Sequence, residues 1–195
     1  MFQDTHFESP TGGAKCFLAA EETVFQMPDR EVIISKACPE DLPGIHALET
    51  AIEGSGAASR SALENRLQMF RNGFLVAKCD HQVAGYLQST IWQDMVFARF
   101  SEICEFEQWH RDNGDELYLI YLAVHPAFRS NGLAGHFLTL LSQLGRVYGL
   151  NQITLVAKNH LIPFYERNGY QPVKELPDFL PGKEKSPYLM QKHLV

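Results

Sequence analysis

The stretch VHPAFRSNGLAGHFL, residues Val124 to Leu138, joins an apolar run to a helical pattern through a proline, an arginine and two glycines. Pro126 stops the preceding strand by removing a backbone donor, and Gly132 lets the main chain approach a ligand with no side chain between them. Amides left free where the helix begins point outward and favour an anion. Two familiar phosphate loops do not fit. The dinucleotide fingerprint needs G-x-G-x-x-G after an early strand, and the P-loop needs G-x-x-x-x-G-K-[ST]. What remains is a pyrophosphate cradle made of backbone amides, with no metal to neutralise the charge.

Working outward, DELYLIYLAVHP is apolar on both faces and rich in β-formers, so it reads as a central strand ahead of the turn. Behind the turn, Phe137, Leu140, Leu141 and Leu144 keep helical register up to Gly149, and QITLVA follows as a buried strand. HLIPFYERNGY gives a short helix stopped at Asn168-Gly169, then the strands YQPV and YLMQKHLV. Upstream, EVIISKA (Glu31 to Ala37) is a first strand. Pro39 or Asp41 opens a helix with Leu42, Ile45 and Leu48 on one face. A small-residue loop leads to a second helix with Leu63, Leu67 and Phe70, for which Gly73 supplies the C-terminal cap. FLVAKCDHQVAGYLQSTIW reads as a hairpin with a turn at Cys79 to Gln82 and a bulge or kink at Gly85. The following insert carries Val96, Phe100 and Ile103 on a helical stripe. Residues 1 to 30 show no clear period; they lie over the domain or are partly disordered. Residues 31 to 195 form one mixed-sheet α/β domain.

Bulk properties bound the function. The 195 residues, 45% hydrophobic and 21% charged, are an ordinary globular composition. The net charge of −6 and the absence of a basic run argue against a nucleic-acid binder, and the acidic surface either keeps the protein in solution or is compatible with a cationic substrate. No apolar run approaches the roughly 20 residues that span a bilayer, and the N-terminus lacks a secretion signal, so a cytoplasmic protein that does not bind membranes is expected. Cys16, Cys38, Cys79 and Cys104 are widely spaced and read as free thiols; neither they nor the scattered histidines form a metal pattern.

LAVHPAFRSNGLAG resembles the acetyl-coenzyme A signature of the GNAT superfamily of N-acetyltransferases, [QR]-x-x-G-x-[GA] after a strand ending in V-x-P. IPFYERNGY is similar to the superfamily's second signature. The order is right and a strand separates the two. The likeness extends over residues 31 to 195 and is most specific at 116 to 173. Within the superfamily the layout is most similar to the arylalkylamine (serotonin) N-acetyltransferases, through L-A-V-H, the Phe128-Arg129 pair, the P-F-Y run and the helical insert.

The resemblance implies a GNAT fold: a mixed, mostly antiparallel sheet flanked by helices, with acetyl-CoA as co-substrate in a cleft beside the central strand. It implies that Arg129 and the amides of Ser130, Asn131, Gly132, Leu133, Ala134 and Gly135 hold the pyrophosphate. Main-chain groups of Leu122, Ala123 and Val124 would pair with the pantetheine arm, and the Leu122 N–H would polarise the thioester carbonyl. Such a donor stabilises a developing oxyanion by a few kcal/mol. Asn159 either touches the same arm or is an ordinary loop asparagine. Tyr165 stands where the family places the acid for the leaving thiolate, or else packs on the cofactor. The histidine pair of the arylalkylamine enzymes is replaced by Tyr118 and Ile120. Tyr118 would order a water, and Glu116, on the same face, would take a proton through solvent or is simply solvated. Glu49, Glu53, Trp92, Phe97, Phe100 and Trp109 supply carboxylates and aromatic surface for amine recognition, or core packing.

The expectation is therefore direct, metal-free acetyl transfer to the primary amine of a small molecule, by a monomer or homodimer. The alternatives are acetylation of a peptide or protein amine, or a silent CoA-binding sensor.

Overall fold

The computed structural model describes residues 22–93, 108–177, 179 and 186–194. Among these residues eight strands form one sheet in the order β1-β2-β3-β4-β5-β6-β8-β7. They are β1 (Glu22–Gln26), β2 (Glu31–Lys36), β3 (Phe74–Cys79), β4 (Gln82–Trp92), β5 (Glu116–Val124), β6 (Gln152–Ala157), β7 (Gln171–Glu175) and β8 (Tyr188–His193). Every neighbouring pair is antiparallel except β5 with β6. That exception follows from the connection, since the helix between them returns the chain to run the same way.

Among the described residues four helices cover the sheet: α1 (Leu42–Glu53), α2 (Arg60–Met69), α3 (Leu133–Val147) and α4 (Ile162–Arg167). Leu42, Ile45 and Leu48 of α1 meet Leu63 and Leu67 of α2, together with Phe74, Val76, Tyr86 and Ala123, on one face. On the other face Phe137, Leu138, Leu140, Leu141 and Leu144 of α3 pack on Leu75, Leu87, Leu117 and Leu119. A third cluster joins Trp92 and Tyr118 to Leu176, Phe179 and Leu189.

Two readings change. Glu22–Gln26, within the stretch expected to lack a pattern, is an edge strand paired with β2. Gly73 does not cap α2, which ends at Met69; it sits in a following 3-10 turn with its backbone against Phe70 and Ser89. A Cβ there would lie 2.3 Å from the Phe70 ring and 2.4 Å from Ser89 Oγ, so close packing selects glycine. The stripe Val96, Phe100, Ile103, with Phe97, Cys16 and Cys104, lies outside the described residues.

Two bulges shape β4 and β5. Ala77 opposes Gly85 while Lys78 opposes Val83, leaving Ala84 as the extra residue beside Gly85. Gln88 opposes Tyr121 while Ser89 opposes Leu119, leaving Ile120 as the extra residue of β5. A bulge resets which face a side chain takes. Tyr118 and Ile120 therefore share a face with Tyr121 and Ala123, whereas Leu122 and Val124 turn to the α3 side.

A candidate active site at a splayed strand edge

β5 and β6 pair only at Glu116, Leu117 and Tyr118, opposite Gln152, Ile153 and Thr154. Beyond Tyr118 the strands part, and Leu119 to Val124 have no ladder partner on β6 among the described residues. The His125 N–H donates to the Ala84 carbonyl at 2.9 Å, toward β4. Alternation then turns the main-chain groups of Ala123 to β4 and those of Leu122 and Val124 to the open edge. Arg129 marks that edge, its Nε donating to the Val124 carbonyl at 3.0 Å. An extended ligand can add here as a strand would, by main-chain hydrogen bonds.

The turn after β5 leaves backbone amides free at the start of a helix. Pro126–Phe128 make one 3-10 turn, with Phe128 buried as its anchor. Ser130 and Gly132 then take left-handed conformations at φ 66° and 85°. The first intrahelical bond of α3 runs from His136 N–H to the Gly132 carbonyl at 2.9 Å. The amides of Leu133, Ala134 and Gly135 precede it and have no carbonyl one turn back, so they face outward at the positive end of a four-turn helix. Asn131 braces the turn by donating to the Arg129 carbonyl at 3.1 Å. Of these residues, Leu133 is buried and its contribution is main-chain only. This cradle fits a pyrophosphate, and the adjoining open edge fits an amide-bearing arm, so the residues present suit acetyl-CoA.

The two sequence signatures meet in space. A Cβ on Gly135 would sit 3.2 Å from Asn168 Oδ1, placing the start of α3 on the end of α4. Asn168 is fixed there by its own amide, which donates to the Phe164 carbonyl at 2.8 Å. Gly169, at φ 85°, then ends the helix, and Tyr170 N–H returns to the Tyr165 carbonyl. Tyr165 is buried between the rings of Phe164 and Tyr170, edge-on to both. Burial pushes its phenol up to about 12, so it holds its proton throughout the neutral range.

A network that sequence reading did not assemble occupies the α1 and α2 face. Glu49, only 4% exposed, accepts from Ala58 N–H at 2.8 Å and from the Tyr86 hydroxyl. Tyr86 stacks on Tyr121 with ring centroids 5.5 Å apart, and the Tyr121 hydroxyl donates to Glu53 Oε1 at 3.0 Å. The same Glu53 oxygen accepts from Lys158 Nζ at 3.4 Å. Burial, and then the adjacent carboxylates, raise both phenols above their ordinary value. Arg66 Nη1 donates to Gln88 Oε1 at 3.2 Å on the neighbouring strand. Glu49 and Glu53 were visible as candidates, but 37 residues separate Glu49 from Tyr86 and 105 separate Glu53 from Lys158.

The remaining candidates fall elsewhere. Tyr118, 4% exposed, lies flat on Trp92 at 4.4 Å, so its ring belongs to the third cluster at the closed end of the splay. Glu116 accepts from Thr154 Oγ1 at 2.9 Å at that same end. Asn159 donates its amide to the Ser186 carbonyl at 2.8 Å, tying the loop after β6 to the approach of β8. Trp92 is buried core and Trp109 packs partly buried against it. Thr90, His110 and Asp112 form a hydrogen-bonded chain of 2.9 and 3.1 Å, but Thr90 is wholly buried and unsuited to meet a substrate. Cys38 and Cys79 are free, and burial pushes both thiols up, away from the reactive thiolate. Among the described residues no group of acidic, histidine or cysteine side chains is placed to hold a metal ion, and no helix is long and apolar enough to cross a membrane.

Comparison with known proteins bears on the fold. Residues 44–170 match the acetyltransferase (GNAT) family. Among solved structures, the loading GNATL domain of CurA from Lyngbya majuscula is similar at TM-score 0.74 and 16% identity, over 84% of this chain and 98% of that one. GphF, a GNAT-like decarboxylase in complex with isobutyryl-CoA, gives TM-score 0.73 and 19% identity over 83% and 99%. The ribosomal-protein-S18-alanine N-acetyltransferase from Escherichia coli gives 0.62 and 16% over 84% and 94%. These likenesses show a shared fold, and by the match over residues 44–170 the chain belongs to the GNAT family of acetyltransferases.

Proposed function

We propose that this protein transfers an acetyl group from acetyl-CoA directly to the primary amine of a small aryl- or alkylamine. The observation that carries this reading is the juxtaposition of three features: the open edge at Leu122 and Val124, the amide cradle from Ser130 to Gly135, and the buried phenol of Tyr165. When bound, acetyl-CoA supplies the activated acyl group. Arg129 and the cradle amides hold its diphosphate, while Leu122 and Val124 pair with the pantetheine arm. Ala123 serves by anchoring the strand to β4. The Leu122 N–H donates to the carbonyl oxygen where negative charge develops. Asn159 keeps the wall of the arm in place, and Tyr118 orders water at the closed end through its hydroxyl.

Tyr165 donates a hydrogen bond to the sulfur as it leaves. An alkyl thiol titrates near 8.5, so complete transfer from a phenol at about 12 is uphill by about 5 kcal/mol. Donation without full ionisation is therefore its part, and the proton released by the amine completes the balance. No side chain of the chain is acylated on this route. Of the cysteines described, Cys79 is buried and Cys38 half-buried, and both lie outside the two signatures.

The test is thiol release from acetyl-CoA by purified protein, against a panel of aryl- and alkylamines and one short peptide. Sustained release with small amines supports the reading. Turnover confined to the peptide identifies a peptide or protein acetyltransferase, and CoA binding without turnover on any amine identifies a sensor module.

A further inference from the structure

The thioester held at the open edge of β5 lies in the plane of the sheet, so an attacking amine must arrive from one of the two faces. On one side Leu122 and Val124 pack against the cluster built by α3 and α4. The amine therefore comes from the α1 and α2 side, where Tyr121 projects beside Leu122. Glu53 ends α1 on that side and is tied to both banks of the splay, to Tyr121 on β5 at 3.0 Å and to Lys158, just past β6, at 3.4 Å. The Glu53 and Lys158 side chains are 29% and 54% exposed, so the bridge lies at the mouth and is open to solvent.

Resting on the acetyltransferase reading above, we propose that Glu53 and Tyr121 receive the ammonium group of the acceptor, with Lys158 as a built-in cation that the acceptor displaces. Three observations support it. Tyr121 turns its hydroxyl proton to Glu53, fixing one carboxylate oxygen as a pure acceptor at this spot. Lys158 shows that an ammonium fits against that oxygen. Its pairing is long and half exposed, the kind of ion pair that contributes little and exchanges readily. Glu49, deeper on the same helix, is already occupied by Ala58 and Tyr86 and supports Tyr121 through the stacked Tyr86 ring. The acceptor class is thus an alkylamine bound as its ammonium ion, selected over its neutral isostere, and this ion releases one proton to solvent before its nitrogen attacks.

The experiment is calorimetric titration of CoA-saturated protein with phenylethylammonium and with phenylethanol, in the wild type, Lys158→Gln, Glu53→Gln and the double variant. Lys158→Gln should tighten phenylethylammonium about 2- to 5-fold, and Glu53→Gln should weaken it about tenfold or more. The double variant should match Glu53→Gln, and phenylethanol should respond to none of the changes. Unchanged or weaker phenylethylammonium binding in Lys158→Gln overturns the proposal, as does equal preference for the alcohol. Because this reads equilibrium binding, it decides the point even where the thiol-release assay shows no turnover, and that second outcome counts against the acetyl-transfer reading alone.

Discussion

At the scale of single residues, the site depends on side chains whose burial fixes their protonation. Tyr165 is nine-tenths buried, its hydroxyl has no hydrogen-bond partner among the described residues, and burial holds its phenol near 12. A donor in that state is ready for an incoming acceptor atom without first breaking another bond. Replacing it removes the donor and leaves the aromatic packing on Phe164 and Tyr170 in place. Tyr165→Phe should therefore lower kcat about 100-fold while leaving the CoA dissociation constant within about 2-fold, since the lost interaction belongs to the transition state. Steady-state thiol release paired with calorimetry separates the two quantities. Full turnover in the variant would show that the phenol only packs.

At the scale of elements, the bulged pair β4 and β5 sets the geometry that the residues use. Gly85 lies where the two strands approach most closely: a Cβ there would stand 2.7 Å from the Ala123 carbonyl oxygen and 3.3 Å from the Phe137 ring. The first obstacle is backbone, which yields only by moving β5, and overpacking of this kind costs about 1–3 kcal/mol. Gly85→Ala should lower the midpoint of thermal unfolding by about 2 °C or more, and weaken CoA binding because Ala123 and Val124 move with the edge. Normal CoA affinity in the variant would show that the edge does not carry the arm. The sequence made the components legible wherever periodicity or turn chemistry was strong. The apolar β5 and the amphipathic α3 read directly, and Gly132 read as a point of close backbone approach, its left-handed φ appearing only in the structure. β1 did not, because ETVFQ is an edge strand with Val24 exposed and carries no burial pattern, only its pairing with β2. The parting of β5 from β6 was equally silent, since it arises from where two distant strands stop pairing. Strict alternation along β5 would also have put Leu122 on the face of Tyr118, and only the bulge at Ile120 moves it to the other.

At the scale of the whole molecule, the chain concentrates buried and half-buried phenols around its site and so couples stability to alkaline pH. Tyr86, Tyr121, Tyr165 and Tyr170 all have their ionisation raised, with burial the leading cause in each. The folded state keeps these protons above the ordinary tyrosine value of about 10, at which the unfolded chain releases them. The stability these phenols contribute is therefore present below pH 10 and is lost as pH rises through the folded-state values, the one for Tyr165 lying near 12. Urea unfolding should give a shallow decline in free energy from about pH 8.5, where the unfolded chain loses the protons that folding holds on Cys38 and Cys79, and a steep loss beyond pH 10, with phenolate absorbance rising together with unfolding. Tyr170 sharpens the test. Its hydroxyl is buried with no hydrogen-bond partner among the described residues, so it carries a desolvation penalty at every pH. Tyr170→Phe should stabilise the protein by about 1 kcal/mol at pH 8, a rise of about 2–4 °C in Tm, and should make the alkaline decline shallower. A fold that keeps its free energy to pH 11, or four phenols that titrate near 10 in the native state, would contradict the buried placement on which the site is built.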